Sequence, residues 1–86
     1  MSYDYETQRP RIFTEDGVEM MMRMREKVRA CLRASGAFKA SAVMTTGDSW
    51  DMLAVLDYLI EKGEIRRVTT GRVAAQDEVY VSAKAP

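Results

Sequence analysis

The chain has 86 residues, enough for one domain with a small core. Cys31 stands alone and there is no histidine, which excludes an internal disulfide and the usual zinc ligand sets. The 13 basic and 13 acidic residues cancel, no apolar run approaches the roughly 20 residues of a membrane span, and the polar, acidic start is unlike a signal peptide; a soluble cytoplasmic protein is expected.

Residues 1–11 show no periodicity: Tyr3 and Tyr5 alternate with Asp4 and Glu6, and Pro10 follows Arg9. A flexible N-terminal tail is expected there, followed by one domain over 12–83 and a frayed end at 84–86. The first helix has a marked start. Thr14 is its cap, Glu15 and Asp16 suit the positive end of its dipole, and Phe13 with Val18 fits a hydrophobic staple. At about 100° per residue, Met20, Met21, Met24, Val28, Cys31 and Leu32 fall on one face. Methionines at helical spacing fill a core more often than they line a binding surface; Met22 lies off the stripe and stays open. Gly36 suits the positive-φ end of this helix.

Ala37-Phe38 reads as an extended connector with Phe38 pointing inward. A brief helix over 40–45 follows, then a turn at Gly47. Asp48 is the cap of a third helix in which Met52, Leu53, Leu56, Leu59 and Ile60 share the core face. Trp50, Ala54, Asp57, Tyr58 and Glu61 lie opposite, and Gly63 ends the helix. Ile65 to Val68 and Val79 to Val81 suggest two strands. Arg66-Arg67 breaks the alternation of the first, which predicts a bulge. The connection between them turns at Gly71.

Charge is segregated along the chain. Residues 17–47 hold Arg23, Arg25, Lys27, Arg29, Arg33 and Lys39 against Glu19 and Glu26. Residues 48–64 hold Asp48, Asp51, Asp57, Glu61 and Glu64 against Lys62 alone. Such alternation makes regions of opposite sign on one surface, and regions rather than net charge select partners.

Chemistry is not indicated. The commonest general base near neutral pH is missing. Cys31 falls on the apolar stripe, where a buried thiol is inert. Asp48/Asp51 and Asp57/Glu61 stand at helical neighbour spacing, but carboxylates work as acids, bases or ligands only in a cleft that shifts their pKa. The glycines are scattered, so there is no phosphate loop. No enzyme, no cofactor and no metal are expected.

The short helix, the Thr45-Thr46-Gly47 turn, the longer helix from Asp48 to Gly63 and the hairpin beyond it resemble the winged-helix superfamily. The resemblance spans residues 14–82 and is one of caps, turns and apolar spacing. It implies a mainly α protein with a small β component, a three-helix winged helix-turn-helix with a C-terminal hairpin wing. It also implies a double-stranded DNA partner, in a transcriptional regulator or an adaptor of a mobile element, with homodimerisation in keeping with so small a domain. Carried over by position, the third helix would enter the groove and the wing would touch the backbone. The DNA contacts would then be Lys39 at the second helix, Ser49, Trp50 and Tyr58 on the third, and Arg66, Arg67 and Arg72 on the wing.

The third helix departs from that pattern. Base edges are read mainly by Arg, Lys, Asn and Gln, and none lies between residues 48 and 61. Its acids repel phosphate. The alternative is a protein-binding module whose aromatic–acidic face comprises Trp50, Asp51, Ala54, Asp57, Tyr58 and Glu61, since Trp and Tyr are interface anchors. A third reading of Trp50 has it packing back on the tail or on the second helix, because large aromatics rarely stay fully exposed.

Overall fold

The computed structural model describes residues 2–45, 47–69 and 73–83. Among the described residues, four helices and a small antiparallel sheet make a mainly α domain. In chain order they are α1 (Tyr5–Gln8), a 3-10 turn (Arg9–Phe13), α2 (Glu15–Ser35), β1 (Ala37–Lys39), α3 (Ala40–Val43), α4 (Ser49–Glu61), β2 (Ile65–Arg67), a short 3-10 turn (Ala75–Asp77) and β3 (Val79–Ser82).

The helix ends follow local chemistry. The Thr14 side chain accepts from the Gly17 N–H to start α2. At its other end Gly36 takes φ 76°, a left-handed conformation that a residue with a Cβ adopts at a cost. Asp48 starts α4 by accepting from the N–H groups of Trp50 and Asp51 at 2.8 and 3.3 Å. Phe13 also reaches beyond its own helix. Its ring stands edge-on to Tyr58 of α4, 5.5 Å between centroids, and stays 49% exposed.

On α2 the buried stripe is Gly17, Met20, Met24 and Val28. Met21, Cys31 and Leu32 are half-buried against it, so the Cys31 thiol is less enclosed than the stripe alone implies. Met22 is 62% exposed and is a surface residue.

The connector Ala37–Lys39 becomes a strand, so the sheet has three strands rather than two, in the order β1-β3-β2. Phe38 stands opposite Tyr80. Their rings stack with centroids 5.4 Å apart, and both are buried. Such a cross-strand aromatic pair contributes about 0.5–1.5 kcal/mol beyond its buried area. The expected bulge does not occur: Ile65, Arg66 and Arg67 pair in continuous register with Ser82, Val81 and Tyr80. Alternation therefore holds, with Ile65 and Arg67 on the core side and Arg66 outward. Arg67 is tolerated there because its guanidinium reaches two carboxylates, Asp57 at 2.8 Å and Glu78 at 2.7 Å. The turn expected at Gly71 and the frayed end at 84–86 lie outside the described residues.

The N-terminal segment corrects the largest expectation. Residues 2–11, read as a tail, are folded onto the domain. Asp4 caps α1 by accepting from the Thr7 N–H at 3.1 Å. Ile12 is completely buried in the core. A Cβ on Gly17 would lie 2.1 Å from the Arg11 carbonyl oxygen and 2.7 Å from the Ile12 Cα, so only glycine lets the 3-10 turn lie this close to α2. The same segment changes α4. Ala54, expected on the outward face, has no exposed surface, and Val55, Leu56 and Leu59 are equally enclosed. Leu53 and Ile60, expected in the core, are only half-buried. Between the sheet, α2 and the N-terminal segment, α4 is surrounded on most of its circumference.

Candidate interaction surfaces

On α4 the residues Trp50, Ala54, Asp57 and Glu61 recur at spacings of three and four and share one face. Asp51 and Tyr58 flank it. The sequence leaves this face to solvent or to a partner; the structure covers it with the chain's own residues 3–13. The Tyr3 hydroxyl donates to Asp57 at 2.6 Å, and the Tyr5 hydroxyl donates to Glu61 at 2.7 Å. Arg9 grips Glu61 with both arms, at 2.9 and 2.7 Å. Arg11 donates twice to Asp51, at 2.8 and 3.3 Å. The Trp50 ring meets Tyr3 edge-on at 6.4 Å. Tyr58 sits between Phe13, the Arg9 guanidinium at 5.7 Å and the Lys62 ammonium at 5.4 Å. The packing of Trp50 against the N-terminal segment is thus the reading the structure bears out.

Four of the five acids of residues 48–64 meet a side chain from elsewhere in the chain, and the fifth, Asp48, caps α4. Asp51 has Arg11, Asp57 has Tyr3 and Arg67, Glu61 has Arg9 and Tyr5, and Glu64 has Arg25 of α2. The pairing marks the titration of the groups. Hydrogen bonds from Arg9, and then from Tyr5, hold the Glu61 carboxyl down at about 2. Burial, and then the bond to Glu61, pushes the Tyr5 phenol up to about 12. Burial first, and Asp57 second, raise the Tyr3 phenol as well. Arg9 and Arg11 are raised chiefly by their hydrogen bonds to Glu61 and Asp51. Bidentate guanidinium–carboxylate pairs fix orientation as well as energy.

The predicted contacts therefore separate. Ser49 is exposed at the first turn of α4, and Lys39 ends β1 in solvent. Arg66 points outward from β2. Arg67 does not: it is committed to Asp57 and Glu78, with its guanidinium over the Tyr80 ring at 5.6 Å. Arg72 lies outside the described residues. Trp50, Asp51, Ala54, Asp57, Tyr58 and Glu61 come together as one face, but that face is occupied.

The unpaired positive charge lies elsewhere. Arg23, Lys27, Arg29 and Arg33 on α2, Lys39 on β1 and Arg66 on β2 make no ion pair or side-chain hydrogen bond with a described residue. Arg66 stands opposite Val81 and Lys39 opposite Val79. Since Phe38 and Tyr80 face the core, these two cations project from the outer face of the sheet. Arg29 lines a groove with Ile65 and Ser82, which puts this part of α2 beside the paired ends of β2 and β3.

A cleft of about 260 Å³ lies between Tyr3, Leu53 and Asp57 on one side and Arg67, Glu78 and Tyr80 on the other. Among the described residues no cluster of His, Cys, Asp and Glu could hold a metal ion, and no helix is long and apolar enough to cross a membrane. Tyr3, Tyr5, Arg9, Arg11, Ile12 and Gly17 belong to this surface or support it without standing out in the local sequence pattern. Two signals pointed to them: a glycine inside the first turn of a helix, where it has no local use, and paired tyrosines and arginines ahead of a helix whose acids lacked partners.

Comparison with known proteins gives no match: no family model, no curated protein and no solved structure matches the chain.

Proposed function

We propose that this chain is a non-enzymatic DNA-binding protein of the winged-helix type, a regulator or an adaptor of a mobile element, which holds duplex phosphates through its cationic outer surface and not by inserting α4 into a groove. The observation that carries the reading is the division of charge. Arg9, Arg11, Arg25 and Arg67 are used up on internal carboxylates. Arg29 and Arg33 of α2, Lys39 of β1 and Arg66 of β2 are left facing solvent without a partner among the described residues. Neutralising phosphates with such groups supplies most of the sequence-independent affinity of a DNA-binding protein. From α2 onward the order is helix–strand–helix–helix–strand–strand, with β3 between β1 and β2, an order in keeping with the winged-helix reading. The covered face of α4 and its lack of base-reading side chains favour backbone contacts over base contacts.

A salt titration of binding to random-sequence duplex tests this. Replacing Arg29, Arg33, Lys39 and Arg66 by Ala should weaken binding and flatten the log–log salt slope by about 0.9 for each phosphate contact removed. Trp50→Ala should leave the slope unchanged. No duplex binding at low salt, or a slope that follows Trp50 and not the cations, would overturn the proposal. The second reading, a protein-binding role for α4, is favoured by one observation: a tyrosine- and arginine-bearing segment already lies on that face.

A further inference from the structure

Residues 2–8 and residues 9–13 are held to the domain in different ways. The 3-10 turn is anchored through the buried Ile12 and through the close approach at Gly17. In contrast, α1 has no buried residue. The segment up to Gln8 is held by two half-buried side chains, Tyr3 and Tyr5, which pack against the edge of the core and donate their hydroxyls to Asp57 and Glu61, with the Tyr3 ring edge-on to Trp50. Segments held by few buried contacts open at far lower free energy than the core.

That opening would bare Trp50, Leu53 and Asp57 together with the cleft of which Tyr3 forms one wall. We propose that this surface of α4 is a peptide-docking site, that α1 fills it in cis, and that its occupant in trans is a segment of a partner protein carrying two tyrosines separated by one residue and followed by arginine. The inference deepens the protein-binding reading of α4 and is independent of the DNA contacts. The chemistry of the site selects the occupant. Asp57 and Glu61 accept from phenolic hydroxyls, and the Trp50 ring gives an edge-on contact for the first aromatic. A guanidinium reaching Glu61 completes the match, in the place that Arg9 holds in cis. The same carboxylates repel phosphate, so duplex DNA is not the occupant. The cis segment competes at the high effective concentration of a short tether, which lowers the apparent affinity for any partner by the closed fraction.

Trp50 is the only tryptophan and reports on the site directly. The probe is a synthetic peptide with the sequence of residues 2–13. In the full chain carrying Tyr3→Ala and Tyr5→Ala, Trp50 emission should shift to the red without loss of helical circular dichroism. The peptide should bind this variant saturably, reverse the shift, and bind the parent chain about tenfold more weakly, as competition with a mostly closed cis segment requires. A peptide with alanine at both tyrosine positions should not bind. Should the double alanine variant fail to fold, Tyr3→Phe with Tyr5→Phe keeps the rings and removes only the hydroxyl donors; the same peptide should then bind it more tightly than the parent. An unshifted Trp50 emission in the opened variant, equal binding to variant and parent, or equal binding of the alanine peptide would each overturn the proposal. The salt slope for duplex DNA should be unchanged in the tyrosine variants, so failure here and failure of the DNA reading are separate results.

Discussion

The two long helices of this domain use their charges in opposite ways. The helix α2 buries one narrow stripe and turns Arg23, Lys27, Arg29 and Arg33 to solvent without partners among the described residues. The helix α4 is enclosed on most sides, and Asp51, Asp57 and Glu61 are all matched by residues distant in sequence. A count of charges makes the first helix a basic region and the third an acidic one. Pairing decides instead which charges a partner can feel: the acidic stretch is largely neutralised from within, and on α2 every cation but Arg25 is left without a partner among the described residues.

Breaking the enclosed side should cost the most. Leu56 has no exposed surface, so Leu56→Ala should lose about 2–5 kcal/mol in denaturant unfolding. Arg33→Ala on the open face of α2 should stay within about 0.5 kcal/mol of the parent. Comparable losses at the two sites would contradict the contrast between the helices.

Gly17→Ala sharpens the claim that the N-terminal segment belongs to the fold. The added methyl meets backbone atoms of Arg11 and Ile12, which cannot yield as a side-chain tip can. The expected loss is about 1–3 kcal/mol. An unchanged or raised stability, as an ordinary helical Gly→Ala exchange gives, would show that the turn does not sit on α2.

Asp48→Ala removes the acceptor for the first N–H groups of α4 and should cost about 1 kcal/mol, while Asp48→Asn or Asp48→Ser should restore most of it. Thermal unfolding of the three variants is the measurement.

The smallest effect expected is a spectral one. Glu61 is held below its ordinary value of 4.5, at about 2. Its stabilisation of the segment is therefore whole above pH 4.5 and is lost as pH falls toward 2. The Tyr5 phenol is raised from 10.0 to about 12, and Tyr3 is raised too. Their stabilisation is whole below pH 10.0 and is lost as pH rises through the raised values. Trp50 emission should be flat between these limits and change on both sides, earlier than the helical circular dichroism. Emission that changes near neutrality, or only with global unfolding, would show that Tyr3 and Tyr5 do not hold the segment at Trp50.

Much of the fold is legible in the sequence. Thr14 and Asp48 as caps, Gly36 as a left-handed helix end, the stripe of Met20, Met24 and Val28, the inward Phe38 and the two strands after Gly63 all follow from short-range rules. Each depends on the chemistry of a few neighbouring residues, and such rules read the same way in any tertiary setting. What lay beyond them was every pairing of residues far apart in the chain. Residues 2–11 carry no periodicity because they do not form a long amphipathic element. They are ordered by contacts with acids some 40 to 56 positions away, and no local pattern encodes such a contact. Ala54 looked outward because its own helix has an apolar face elsewhere; a second element arriving on the opposite face buried it. Ala37–Lys39 looked like a connector because a three-residue strand exists only when β3 is beside it. Helix ends and the apolar stripe are local properties of the chain, since propensity, capping and dipole effects act within a few residues. Which charges remain available is a property of the packing, because a charge is paired or free according to what lies within about 4 Å of it, and that neighbour is chosen by the fold.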